Sequence, residues 1–164
     1  MHDYAEQQFK KSDSVEAWAS TCDYAAKLSG GDPDIFMRDV SRVFTGFTQK
    51  LAPLDYLLQP ITGDDKPYKV RFKSDGFNGA FADPDPQNNQ VRHIWFYTQL
   101  AYSWGEDLAV MANFFHEFFP GQGGQSLNDY IAGLAGAGLG TQLREGTISP
   151  YDVGNHIRNL FGDQ

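Results

Sequence analysis

Residues 82 to 104 read ADPDPQNNQVRHIWFYTQLAYSW, and the kind of helix they make decides the fold. Asp85 followed by Pro86 is a good helix start, because the Asp side chain accepts orphan amide protons and a proline at the first position sacrifices no hydrogen bond. On a helix from about 86 to 104, Val91, Ile94, Trp95, Thr98, Ala101 and Tyr102 make one apolar face. His93, Phe96, Tyr97, Leu100 and Trp104 make a second face beside it, leaving Asn88, Arg92, Gln99 and Ser103 as the polar stripe. A helix apolar over most of its circumference is central rather than peripheral.

Capped, periodic segments flank this helix on both sides. Asp13 and Glu16 have capping-box spacing before VEAWASTCDYAAKL, and Gly30-Gly31 stops that run, which predicts a helix over about 14–29. Asp32-Pro33 restarts a helix whose apolar residues recur at helical spacing, predicting 33–51 with Pro53 beyond it. Further helices are predicted over about 106–119, 127–144 and 150–161, the last opened by Ser149 and Pro150 and closed by Gly162. Between Leu54 and Gln87 prolines and glycines break the pattern, while Tyr68, Val70 and Phe72 alternate with Lys69, Arg71 and Lys73 as in a half-buried strand. The only partner in sight is Phe77 to Phe81. The expected fold is therefore mostly α: a single domain over 1–164, an irregular bundle of about six helices with a long loop or short β-hairpin inserted around 54–87.

Composition narrows the function. The chain has 164 residues, 41% of them hydrophobic and 15% aromatic, which is far more bulky surface than a disordered chain carries. Lys plus Arg number 13 against 21 Asp plus Glu, a formal charge of -8, and no basic cluster longer than Lys10-Lys11 offsets it. Such a field repels phosphate backbones and anionic lipid, so neither nucleic acid nor a membrane surface is an expected partner. No apolar stretch reaches the length of a membrane span, and the start MHDYAEQQFKK has no apolar signal segment. These features suit the cytoplasm, or a domain from a longer or non-classically exported protein. The lone Cys22, in a helical pattern with Ala19, Ala25 and Ala26, reads as a small buried filler.

Several motifs fail on inspection. GLAGAGLG, residues 133–140, has glycines but neither the spacing and preceding strand of a dinucleotide loop nor the Gly-Lys-Ser/Thr of a Walker loop. Its small residues instead predict a helix packed closely on neighbouring backbone. His116-Glu117 lacks the second histidine of a zincin helix, because position 120 is Pro, so His116 reads as a packed histidine. Asp83, Asp85 and Asn88 do not make an EF-hand, whose sixth and twelfth positions would here be Asn88 and Ile94. No C-x-x-C-H attachment motif supports haem. No cofactor and no metal are expected.

Arg92 and His93 are what capping leaves unexplained. If the stripe faces an internal cleft, Arg92 needs a carboxylate among Asp75, Asp83, Asp85 and Glu106, because an unpaired buried guanidinium is very costly. His93, about two turns into a helix starting at 86, is expected beyond the reach of the terminal dipole. Two functions from different classes follow. The favoured one is an acidic helical interaction domain that binds a protein partner or itself as a homodimer. The alternative is a small hydrolase of effector or toxin type, acting on a small molecule or glycan. Its catalytic set would be Asp83, Asp85 and Glu106 as acid/base carboxylates, with Arg92 and His93 as electrostatic and proton-transfer groups.

Overall fold

The computed structural model describes residues 1–46, 73, 75–83, 89–118 and 126–163. Among these the chain forms seven α-helices and one 3-10 turn, and no strand. In chain order they are α1 (His2–Phe9), α2 (Ser14–Ser29), α3 (Pro33–Phe44), α4 (Gln90–Trp104), α5 (Glu106–Phe118) and α6 (Leu127–Glu145), then the turn Pro150–Asp152 leading into α7 (Val153–Phe161).

The caps follow the expected chemistry. The Asp13 carboxylate accepts from the Glu16 amide at 2.8 Å and Asp32 accepts from the Ile35 amide at 2.9 Å. Ser126 accepts from the Asp129 amide at 3.1 Å, starting α6. Left-handed Gly30 and Gly146 end α2 and α6, conformations that a side chain would strain.

Other boundaries differ from expectation, each for a local reason. The polar start forms α1, held by Tyr4 stacking on Tyr24 with ring centroids 4.2 Å apart and by the fully buried Ala5. Helix α3 stops at Phe44 rather than running to 51. Thr45 Oγ1 donates within hydrogen-bond reach of both the Ser41 carbonyl and Gln99 Oε1, and Gly46 then takes a positive φ; residues 47–51 lie outside the described set. Helix α4 starts at Gln90, not at 86, because Asn89 is its cap and accepts from the Arg92 amide at 3.0 Å. His93 therefore lies in the first turn, within reach of the helix dipole. Helix α7 begins as a 3-10 turn at Pro150.

The expected hairpin is not what Phe77 to Phe81 make. Phe77 forms one isolated antiparallel bridge with Gly162, flanked by bonds from the Asn78 amide to the Phe161 carbonyl at 2.8 Å and from the Asp163 amide to the Gly76 carbonyl at 3.1 Å. Turns at Gly76 and Gly79 break any longer pairing, so the backbone partner comes from the C-terminal end of the chain. The alternating segment Tyr68 to Phe72 lies outside the described residues.

Helix α4 is central, as its apolar circumference demands: α2 and α3 pack on one side, α5 and α6 on the other. Every residue from Ile94 to Ala101 is buried, and Gln99 in the supposed polar stripe accepts from Thr45 Oγ1 at 3.0 Å. Trp95 meets Trp18 edge-on at 6.2 Å and Phe44 at 5.5 Å, and its indole N–H donates to Ser41 Oγ at 3.0 Å. Such ring pairs add about 0.5 to 1.5 kcal/mol beyond area burial. Across α4, the small-residue helix α6 comes close enough that a Cβ at Gly136 would overlap the Ile94 carbonyl oxygen, and one at Gly140 the Thr98 carbonyl oxygen. The glycines buy backbone proximity against their poor helix propensity. No helix among the described residues is long and apolar enough to cross a membrane.

Candidate functional site

Helix α5 buries the wrong residues for an ordinary amphipathic helix. Its buried positions are Ala109, Ala112, Asn113 and Glu117, while Met111, Phe114, Phe115 and Phe118 are each more than 40% exposed. An acidic side chain is seldom fully buried unless it is paired or has a task, and Glu117 is 1% exposed. The inward face of α5 is therefore where the chemistry concentrates.

Three helix ends meet there. The first turn of α4 brings Arg92 and His93, the last turn of α5 brings His116 and Glu117, and the first turn of α6 brings Asp129. Asp83 enters from the preceding segment, which is pinned by the Asn128 side chain donating to the Ala82 carbonyl at 2.9 Å. Together they line a cavity of about 270 Å³, walled on its apolar side by Phe96 and Tyr97. Gln90, buried at the root of α4, ties the pieces together by donating to the Phe81 carbonyl at 2.8 Å and to Asp129 Oδ1 at 3.0 Å.

At the centre, Glu117 Oε1 faces two imidazoles, His116 Nε2 at 3.7 Å and His93 Nε2 at 4.0 Å. One ligand-type atom from each of the three residues lies within 4.8 Å of the others. The 3.7 and 4.0 Å separations are too long for direct hydrogen bonds, so the three groups surround a gap. The other carboxylate oxygen, Oε2, is approached by the Ser126 amide at 3.4 Å. His93 Nε2 lies 2.8 Å from the Asp129 carbonyl oxygen, which the ring N–H can reach as a donor, and its face meets the edge of Tyr97 at 5.1 Å.

Burial governs the electrostatics. It pushes the Glu117 carboxyl up to about 7, with nearby Asp129 and Asp83 adding to the rise. It pushes His93 down to about 4 despite the Asp129 carbonyl, and lowers His116, to which His93 adds. The Tyr97 hydroxyl is raised by burial and by Glu117. Both imidazoles are thus neutral near pH 7 beside an acidic group, and the Asp129 carbonyl favours the His93 tautomer that carries its proton on Nε2.

Of the residues singled out from sequence, Asp83, Arg92 and His93 do share this cavity. Asp85 lies outside the described residues. Glu106 is elsewhere: it opens α5, ten residues or about 15 Å of helix from His116, beside Asp107, Met111, Phe114 and Tyr130 in a shallow surface cleft. The carboxylates that accompany Arg92 and His93 are Asp83, Glu117 and Asp129, two of them missed. A metal motif sought on one helix fails at Pro120, whereas the second histidine comes from α4. Against models of protein families, curated proteins and solved structures, the chain finds no match.

Proposed function

We propose that the protein is a small hydrolase with its reaction centre in the cavity between α4, α5 and α6. The observation that carries this reading is the convergence of His93, His116 and Glu117 around one gap on the floor of a polar cavity, with Arg92 and Asp83 in its wall. Such a floor is suited to hold and activate a water molecule, and a guanidinium in the same lining is suited to hold substrate or to stabilise charge that develops on it. In the reaction, the water oxygen bonds to the electrophilic atom of substrate, its proton passes to a basic group of the site, and the leaving group departs carrying a proton. A cavity of about 270 Å³ accommodates a small molecule or the end of a larger chain, glycans included.

The test is turnover of a panel of chromogenic esters, phosphodiesters and glycosides by the purified chain. Wild type should act on one class, His116→Ala and Glu117→Gln should lose at least about 100-fold in kcat/KM, and Arg92→Met should act mainly on KM. Equal residual activity in wild type and both floor variants would refute the assignment.

A second reading, the interaction domain, is favoured by a different observation. Met111, Phe114, Phe115 and Phe118 stand exposed along α5, and Phe114 and Phe118 also contact Tyr130. Exposed apolar clusters of this kind mark association surfaces. Light scattering across a concentration series, compared between wild type and Phe114→Ser, reads self-association directly; a concentration-independent monomer in both would remove the homodimer.

A further inference from the structure

We infer that His93, His116 and Glu117 form a binding site for one divalent transition-metal ion of the Zn²⁺ class. This deepens the hydrolase reading and rests on the same cavity, but it is tested by ion binding and not by turnover.

Geometry is the first support. Ligand atoms at about 2.0 to 2.1 Å from a tetrahedral Zn²⁺ stand roughly 3.3 Å from one another. The carboxylate-to-imidazole separations are 3.7 and 4.0 Å and all three ligand atoms lie within 4.8 Å of one another, so movement of about an ångström or less at each side chain brings them into one coordination sphere. The donors come from two helices at ends that pack together, which supplies a fixed floor with small adjustable side chains.

Charge is the second support. The Glu117 carboxylate is 1% exposed, and its ion-pair partners among the described residues are the two imidazoles alone. Asp129 and Asp83 line the same cavity, together with Arg92. A buried carboxylate needs a counter-charge or a proton, and a divalent cation between the three side chains supplies the counter-charge to Glu117.

Donor chemistry is the third support. Two imidazoles and one carboxylate suit Zn²⁺ and its borderline neighbours better than Mg²⁺ or Ca²⁺, which prefer all-oxygen shells. Three protein ligands with a fourth position open to a cavity is the arrangement of catalytic zinc sites. The Asp129 carbonyl oxygen lies within hydrogen-bond distance of His93 Nε2, at 2.8 Å. Ion binding would transfer the Nε2 lone pair to the metal, leaving the ring proton on Nδ1. The Ser126 amide would hold the second oxygen of Glu117 in place, as outer partners do in metal centres.

The experiment uses the full untagged chain stripped with chelator, titrated with Zn²⁺ by calorimetry and with Co²⁺ by visible absorption. One equivalent should bind, with the intense visible bands of four- or five-coordinate Co²⁺. His93→Ala, His116→Ala and Glu117→Gln should each weaken binding more than about 100-fold, beyond the 10- to 100-fold typical of losing an outer partner. His2→Ala, which removes the exposed His2–Glu6 pair, and His156→Ala should not. Circular dichroism establishes that each variant is folded, and the wild-type Co²⁺ spectrum stands without any variant. Absence of stoichiometric binding, or binding lost in His2→Ala and kept in His116→Ala, would overturn the site. Turnover without stoichiometric ion binding overturns the metal inference while leaving the hydrolase reading intact; tight binding without turnover on any substrate class does the reverse.

Discussion

The two sides of α4 are built on opposite principles. Towards α2, α3 and α7 the interior is aromatic: Trp18, Phe36, Phe44, Phe77, Phe81, Trp95 and Phe161 form a continuous cluster of buried rings. Towards α5 and α6 the cluster is smaller and rich in alanine, with Phe96, Tyr97 and Leu100 among Ala101, Ala109, Ala112 and Ala137. On that side polar groups are buried and aromatic groups are exposed. Large rings supply most of the burial free energy, whereas small residues let helices approach and leave a polar cavity at their ends. One half of the molecule is held mainly by large buried rings, and the other by close approach of helix backbones.

This contrast can be broken first where it is strongest. Trp95→Ala should cost about 3 to 5 kcal/mol, because a fully buried ring leaves a cavity lined by other rings and strands Ser41. Chemical denaturation measures it, and a loss below about 1 kcal/mol would show that the aromatic side is not what holds the fold. On the other side, Gly136→Leu should cost about 1 to 3 kcal/mol by forcing α6 off the Ile94 carbonyl, although leucine is the better helix former. An unchanged melting temperature would mean that α6 does not approach α4 as closely as the structure has it.

A smaller effect separates the two halves by pH. On the α2–α7 side, Arg158 holds Glu16 through bonds at 2.7 and 2.8 Å and also pairs with Asp23 at 2.9 Å. The hydrogen bond from Arg158 lowers the Glu16 pKa below its usual 4.5, outweighing the opposing effect of burial. A carboxylate with a depressed folded pKa contributes stability above its unfolded value, and loses it as the pH falls through the folded value. The contribution is therefore complete above about pH 5 and disappears below the ordinary glutamate range. Glu16 is 43% exposed, so solvent screening holds its worth to about 1 kcal/mol or less. Arg158→Met should flatten the acid limb of the stability profile between pH 5 and pH 3, relative to wild type, in denaturant midpoints taken across that range. The smallest effect belongs to the exposed rings: Phe114→Ser should change stability by about 0.5 kcal/mol or less, and a large loss would mean that the ring is covered in solution.

Much of the helical organisation was legible because its signals are local. Asp13 and Asp32 announce helix starts, Gly30 announces an end, and the all-round apolarity of 91–102 announces a central helix. Where competing local signals existed, the reading went astray: Asp85-Pro86 and Asn89 are both plausible caps, and only the second begins α4. Phe77 looked like half of a hairpin because alternation cannot say which backbone will pair with it, and the answer was Gly162.

For the site, Arg92, His93 and Asp83 were visible as residues that capping and packing did not consume, while Glu106 was included only for being a nearby acid. His116-Glu117 was visible too, and was set aside because its motif is incomplete on one helix. A legible clue remained in α5, whose small and polar residues at 109, 112, 113, 116 and 117 share one face while its phenylalanines take the other.

By itself the sequence determined the helix-rich character, the caps at Asp13 and Asp32, the centrality of α4 and the need for close packing at the α6 glycines, all of which depend on interactions within a few residues of one another or on the periodicity of a single helix. Tertiary structure alone decided that His93 meets His116 and Glu117, that Asp129 reaches His93 through its carbonyl, and that Glu106 stays apart. Those encounters depend on how three helix ends are placed in space, and nothing in the spacing of residues along one chain carries the crossing angle and register of its neighbours.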